Sequence, residues 1–313
     1  MSRRPILLIV NPASGGKPGS GADLDAGDAI TAPEAIAERL RARGLEVALH
    51  VLGEGDDASG LASRAADEGR DVVASGGDGT VRPVAVALVG HPSATLGIVA
   101  SGSFNNVARG LGIPAELDAA LDVIAEGGSV GFDAGWAYRD DPDEGRLFLE
   151  AAGVGVDAIG FMAVEIAERH GWWRAGRALW RGLRRRRTRM AVTVDGVAYR
   201  TRSPAVTVCN GPYHGLGFAL APDADPTDGR LTVAIFRRMS ALRVLGHFLA
   251  VARRRRRHEP RVRLMEARQV TVEGLRGALP VHADGESIGV TPVAFEVRPA
   301  ALRVFARPRH SSG

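Results

Sequence analysis

DVVASGGDGTV, Asp71 to Val81, sets an apolar run, a glycine turn with one carboxylate and the first residues of a helix in direct succession. That order reads as a buried strand delivering a phosphate-binding loop to a helix N-terminus, where main-chain N–H groups and the helix dipole favour an anion. Gly76, Gly77 and Gly79 can take positive φ and let main-chain N–H groups face that anion. Asp78 would act on a metal ion or its waters, and Thr80 offers a hydroxyl. The plain alternative is an ordinary strand-to-helix turn, for which two glycines would suffice. The carboxylate and hydroxyl set among the glycines favour a nucleotide-phosphate cradle.

The rest of the chain bounds this reading. With 313 residues, 45% of them hydrophobic, it is long enough for two domains with proper cores. Forty Lys and Arg against 36 Asp and Glu make a mildly positive balance, but a sequence pI near 9.9 and clustered arginines point to an anionic partner. Lys17 is the only lysine, a bias that a GC-rich genome also produces. Cys209 is the single cysteine, in the apolar run PAVTVC, which excludes a disulfide framework or a cysteine metal site and fits a reducing cytoplasm. The apolar patch in MSRRPILLIVNP reads as too short for a signal peptide, and no uninterrupted apolar run reaches the length of a membrane span.

Upstream of the motif, PILLIV (Pro5 to Val10) reads as a buried parallel strand. NPASGG (Asn11 to Gly16) is the turn at its carboxyl end, where ligands of open α/β sheets collect, so Asn11 and Ser14 are candidate nucleotide contacts. Lys17 is followed by proline, which departs from Walker A spacing. Pro18 to Ile30 reads as a flexible insertion, and Thr31 with Glu34 as a capping box for a helix ending near Gly44. Leu45 to Leu52 is a second strand and Asp57 to Gly69 a second helix. Pro83 is expected in the first turn of the helix after the motif, where proline is tolerated. Thr95 to Ala100 is a fourth strand, followed by SGSFNNVARGLGIP (Ser101 to Pro114), another small-residue turn feeding a helix. This alternation predicts a nucleotide-binding α/β domain over residues 1–128, with a doubly wound, mostly parallel sheet.

From residue 129 the texture changes to strand-like runs separated by turn signals: Val130 to Tyr138, Arg146 to Val156, Met190 to Tyr199, Ser203 to Gly211, Gly229 to Phe236, Arg268 to Gly274, Ala278 to Glu286 and Val293 to Pro299. They predict a β-rich, sandwich-like domain over residues 129–313, with a cleft between the domains and the last residues returning to the first. Two helices interrupt it, about Ile159 to Arg187 and Ser240 to Arg257. In the former, Trp172, Trp173, Gly176, Leu179, Trp180 and Leu183 share one side and Arg184 to Arg187 follow. That pattern suits an anionic membrane surface as well as packing on the β domain. Arg253 to Arg257 form a second cluster. No nucleic-acid recognition module accompanies the arginines, so no nucleic-acid partner is expected.

Taken together, NPASGG, SGGDGTV, GSFNNVARGLGIP, NGPYHGLGFALAPDADPTDGRL and the late ADGE resemble bacterial lipid kinases of the diacylglycerol kinase family, relatives of sphingosine kinases. The resemblance covers nearly the whole chain, with the blocks in the same order. GGDGT alone is shared with NAD kinases and says only phosphoryl transfer; the later blocks make the resemblance specific. It implies an ATP- and Mg2+-dependent enzyme that moves the γ-phosphate to the hydroxyl of a lipid alcohol such as diacylglycerol. Nucleotide would bind at the interdomain cleft, and the protein would be cytoplasmic, peripherally attached to the inner face of the membrane.

By the same resemblance, Gly76, Gly77, Asp78, Gly79 and Thr80 would bind ATP phosphates, with Gly102, Ser103, Asn105 and Asn106 completing the nucleotide pocket. Asn106 stands where many relatives have aspartate, so that position brings no charge. Glu286 would accept the proton from the lipid hydroxyl, and Asp284 could share the role; from the residues alone, ADGE reads as an Asp-Gly turn with an exposed glutamate. Asp228, with the main-chain oxygens of Asp225 and Arg230, would hold a structural Mg2+, against the alternative of a solvated Asp-Gly turn. His214 and His282 are read as neither ligands nor bases. An NAD kinase-like enzyme and a non-catalytic nucleotide- or lipid-binding regulator are the alternatives. Neither the lipid nor the oligomeric state, a homodimer included, is legible in the residues.

Overall fold

The computed structural model describes residues 3–14, 32–155, 188–215, 217, 219–237, 239–240, 243–244 and 261–308. The chain divides into two compact units, Met1–Phe132 with Ala300–Gly313, and Asp133–Pro299.

In the first unit, strands β1 (Ile6–Val10), β2 (Val47–Val51), β3 (Asp71–Gly76) and β4 (Thr95–Ala100) form a parallel sheet in the order β2-β1-β3-β4. Helices α1 (Pro33–Ala42), α2 (Ala58–Asp67) and α3 (Asp78–Leu88) make the crossovers, and α4 (Asn106–Leu111) and α5 (Leu117–Glu126) follow β4. All six residues of β3 are buried, as a central strand covered on both faces requires. Leu8, Val73 and Val99 of the sheet pack with Leu40 of α1 and Leu121 and Ile124 of α5 in one apolar cluster.

Two helices start differently from the sequence expectation. Helix α1 begins at Pro33 after Ala32, which has no side-chain oxygen to cap with, so a proline at the first position starts it in place of a capping box. Thr31 lies outside the described residues. Helix α3 starts at Asp78, inside the motif itself, which moves Pro83 into the second turn. There the ring removes the N–H that would otherwise meet the Gly79 carbonyl.

The second unit is antiparallel. Its strands are the greater part of β5 (Ser129–Tyr138), then β6 (Arg146–Phe148), β7 (Ala151–Gly155), β8 (Thr188–Val194), β9 (Val197–Ser203), β10 (Ala205–Cys209), β11 (Leu231–Phe236), β12 (Val262–Ala267), β13 (Gln269–Gly274), β14 (Pro280–Ala283) and β15 (Glu286–Val290). The first part of β16 (Val293–Phe305) pairs with β13, and its last part lies in the first unit, parallel to β4. One sheet runs β12-β11-β10-β7-β14-β15; the other contains β16-β13-β8-β9. Val154, Val206 and Val233 of the former share a buried cluster with Val192, Val270 and Phe295 of the latter, the packed interior of a sandwich.

The run Met190 to Tyr199 is two strands, folded at Asp195-Gly196, whose φ values of 45° and 82° suit a tight hairpin. The run Arg146 to Val156 is also two strands, interrupted at Leu149 and Glu150. The two expected helices of this domain lie outside the described residues, apart from a helical Arg243 and Val244. Among the described residues, no helix is long and apolar enough to cross a membrane.

Candidate functional site

In the first unit the sheet order reverses between β1 and β3, and the turns leaving β1, β3 and β4 gather at their carboxyl ends, where open α/β sheets bind ligands. Asn11 ties two of these turns together. Its N–H donates to the Ser75 carbonyl at 2.9 Å and its side-chain amide to Thr80 Oγ1 at 2.9 Å. Ser14 Oγ donates to the Asn11 carbonyl at 2.6 Å and stands 3.0 Å from Ser101 Oγ, a residue the sequence reading did not single out.

None of Gly76, Gly77 and Gly79 uses the positive φ that glycine allows. The glycines supply clearance instead. A Cβ on Gly76 would lie 2.6 Å from Thr80 Cβ, and one on Gly102 would lie 2.5 Å from the Cα of Gly77. The β3 and β4 turns therefore meet backbone to backbone. Gly79 is exposed, with nothing within 4 Å of where its Cβ would be, and marks the open side of the cradle. The Thr80 and Val81 N–H groups turn back to the Gly77 carbonyl, while Asp78 and Gly79 sit at the start of α3, ahead of the helix's own bonding.

Asp78 Oδ1 accepts the Asn106 N–H at 2.8 Å. Burial pushes the Asp78 carboxyl above its ordinary range, against the pull of the Asn106 and Asn105 N–H groups and the Arg109 charge. The neutral Asn106 amide, itself buried, adds no second charge beside a carboxylate already strained by desolvation. Asn105 sits in the left-handed region at φ 49° and clasps its own loop, accepting from Gly102 N–H at 3.1 Å and donating to the Gly102 carbonyl at 2.7 Å. Ser103 is exposed beside it.

In the second unit, β14 and β15 turn at Asp284-Gly285, and Glu286 opens β15 with its side chain 43% exposed and ion-paired to Arg146. Asp284, in the same turn, is tied to the main chain. Its carboxylate accepts the N–H groups of Leu149, Glu150 and Ala151 at 2.7, 3.0 and 3.1 Å. Buried Asn210, within the NGPYHG block, donates through its amide to the Leu149 carbonyl at 3.0 Å and the Asp133 carbonyl at 2.8 Å. His282 Nδ1 accepts the Gly285 N–H at 3.2 Å and so helps shape the same turn. No local signal marked Arg146, because its partner is 140 residues away.

The loop before β11 keeps its carboxylates on local N–H groups. Asp225 Oδ1 accepts from Thr227 N–H and Oγ1 at 3.0 and 2.7 Å, and Asp228 Oδ1 from Arg230 N–H at 2.8 Å. Burial first, then the charges of Asp225 and Glu266, push the Asp228 carboxyl up, a field that a hard cation would relieve. The Asp225 carbonyl also takes the Asp228 N–H at 3.4 Å, and among the described residues no three His, Cys, Asp or Glu side chains are placed to hold a metal. Any cation here would be held by one carboxylate, main-chain oxygens and water.

A turn cradle at the switch point of a parallel sheet, followed in the same chain by an antiparallel sandwich, is a geometry that can receive a phosphate-bearing ligand. Residues 5–137 match the diacylglycerol kinase catalytic domain, and residues 152–306 the YegS C-terminal NAD kinase beta sandwich-like domain. The chain is 29% identical over 310 residues to the diacylglycerol kinase of Mycobacterium tuberculosis, covering 97% of this chain and 96% of that one. It is also 29% identical over 314 residues to a diacylglycerol kinase of Staphylococcus aureus, covering 97% and 93%. A crystal structure of a diacylglycerol kinase from Bacillus anthracis superposes with a TM-score of 0.71 at 21% identity, over 97% of each chain, a likeness of fold. The chain belongs to the bacterial diacylglycerol kinase and YegS-like family of ATP-dependent lipid kinases, which transfer phosphate to a lipid alcohol.

Proposed function

We propose that this protein phosphorylates the hydroxyl of diacylglycerol, with ATP as donor and Mg2+ as cofactor, at an anionic membrane surface on the cytoplasmic side. The observation that carries the nucleotide half of the reading is the meeting of Gly77 and Gly102, where a Cβ on Gly102 would lie 2.5 Å from the Gly77 Cα and one on Gly77 3.2 Å from the Gly102 Cα, so that the cradle is left to main-chain groups. Asn11 and Ser14 close the β1 side of the cradle, Thr80 anchors it, and Ser103 stands at its exposed rim. Gly76 lets the chain turn tightly onto Thr80.

In this reading Glu286 accepts the proton of the acceptor hydroxyl while that oxygen attacks the γ-phosphorus and the bond to the ADP oxygen breaks. Its exposed carboxylate on a tight turn can reach a lipid hydroxyl presented from a bilayer. Mg2+ would neutralise charge on the phosphates. Asp78 could orient it or its waters, because the carboxyl is held by the Asn106 N–H. A second Mg2+ would rest on Asp228 with the Asp225 and Arg230 carbonyls and serve the fold, consistent with the negative field there. The identities of the relatives in Mycobacterium tuberculosis and Staphylococcus aureus support diacylglycerol as the acceptor.

Incubation with γ-labelled ATP and either diacylglycerol in anionic vesicles or NAD separates this function from its nearest alternative. Label is expected in phosphatidic acid; label in NADP alone overturns the proposal.

A further inference from the structure

The corner between β6 and β7, Arg146 to Ala151, meets the β14–β15 turn at two points. At one, three successive N–H groups converge on the Asp284 carboxylate, and the Asp284 N–H returns to the Ala151 carbonyl at 2.9 Å. At the other, Arg146 grips Glu286. We infer that this corner is the frame that aims Glu286, with Asp284 and Arg146 as positioning residues and Asp284 no proton acceptor of its own. The inference rests on the reading of Glu286 as the base.

The geometry assigns the roles. An ionised carboxylate has about four acceptor sites, and three N–H groups from one turn fix both of its oxygens. The charge on the carboxylate strengthens all three of those bonds, so taking up a proton would weaken them together. Asp284 also holds φ 46°, a left-handed conformation that aspartate tolerates better than most residues and that brings its side chain back onto the Leu149–Ala151 segment. Gly285 follows at φ 84°, so the chain reverses at once and Glu286 emerges two residues after the clamp. The clamp therefore sets where the turn sits, and Arg146 sets where the carboxylate points. Asn210 steadies the corner from behind through the Leu149 carbonyl.

The experiment compares Asp284→Asn, which keeps the shape and one accepting oxygen, with Asp284→Ala, which keeps neither. Vesicle assays should show kcat falling about 10-fold for Asn and about 100-fold for Ala, the latter being the effect of displacing a reacting group by roughly 1 Å. KM for ATP should stay within about threefold, because the clamp is not part of nucleotide binding. Both variants should keep the acid limb of the kcat–pH profile, which Glu286→Gln should lose. Arg146→Gln should lower kcat about 10-fold with Arg146→Lys partly restoring it, and this pair carries the test if Asp284→Ala does not fold. Equal inactivity of Asn and Ala with the acid limb gone would make Asp284 the acceptor. Unchanged kcat in Asp284→Asn or Arg146→Gln would remove that residue from the frame. Full activity in Glu286→Gln would instead sink the base assignment itself.

Discussion

The cradle of the first unit is built from backbone, whereas the carboxylate turn of the second is built from side chains. Around Gly77 and Gly102 the functional property is a lack of atoms: two turns approach so closely that one methyl group has nowhere to go. Around Glu286 it is a surplus of specific contacts, with Asp284, Arg146, Asn210 and His282 all directed at one corner and one turn. The contrast follows from architecture. A parallel sheet brings successive crossover turns to the same end, so contiguous short motifs suffice. An antiparallel sandwich joins strands distant in sequence, here β7 with β14, and must align them through long-range side-chain bonds.

The sharpest way to break this contrast is to add one methyl group to the backbone-built region. Gly102→Ala would place Cβ 2.5 Å from the Gly77 Cα, where only backbone movement can relieve it. Nucleotide affinity should fall with kcat/KM, by about 100-fold or more, read by fluorescent-nucleotide titration and steady-state kinetics. Normal affinity in this variant would mean that the cradle does not hold nucleotide. Gly79→Ala, with open space around its Cβ, is the built-in control for whether the open side is the ligand side: it should leave the fold intact.

A more moderate effect is expected at Asp78. Its folded-state pKa is raised chiefly by burial, so between the unfolded value of about 3.9 and the higher folded value the native state binds more protons, and stability falls as pH rises through that window. Asp78→Asn, uncharged and nearly isosteric, should therefore have a Tm advantage over wild type that grows as pH rises through that window and then levels off, while turnover drops. A Tm difference independent of pH would contradict the desolvated carboxylate. The smallest effect belongs to Asp228. Mg2+ should raise the wild-type Tm by about 2–4 °C, and Asp228→Asn should lose most of that gain. An equal gain in both proteins would place the cation elsewhere.

The same architectural contrast explains what could be read without coordinates. Thr95–Ala100 was legible to the residue and Asp71–Gly76 nearly so, because central parallel strands are short, continuous apolar runs closed by small residues. The motif stood out in the sequence, but the use of its glycines did not: positive φ and close approach leave the same letter, and only the neighbours in the fold, Thr80 for Gly76 and Gly102 for Gly77, distinguish them. Pro83 was misplaced because α3 starts one residue after the N-cap Gly77, earlier than a turn-then-helix reading allows. In the second unit, β12 escaped notice because Arg263, Leu264 and Glu266 on an edge strand disguise the alternation. The break at Leu149–Glu150 has no local breaker residue; it is made by Asp284, far along the chain. Glu286 was singled out only through resemblance to relatives, and Arg146 not at all, since an ion pair between distant strands leaves no periodic trace.

In the proposed reaction the two units have separable functions, nucleotide holding by the glycine turns and proton acceptance by Glu286. The direct measurement is Glu286→Gln assayed for label transfer to diacylglycerol vesicles and for ATP affinity in the same preparation. Turnover should be lower by about 100- to 10,000-fold with ATP affinity unchanged. Turnover close to wild type, or ATP binding lost along with turnover, would contradict it.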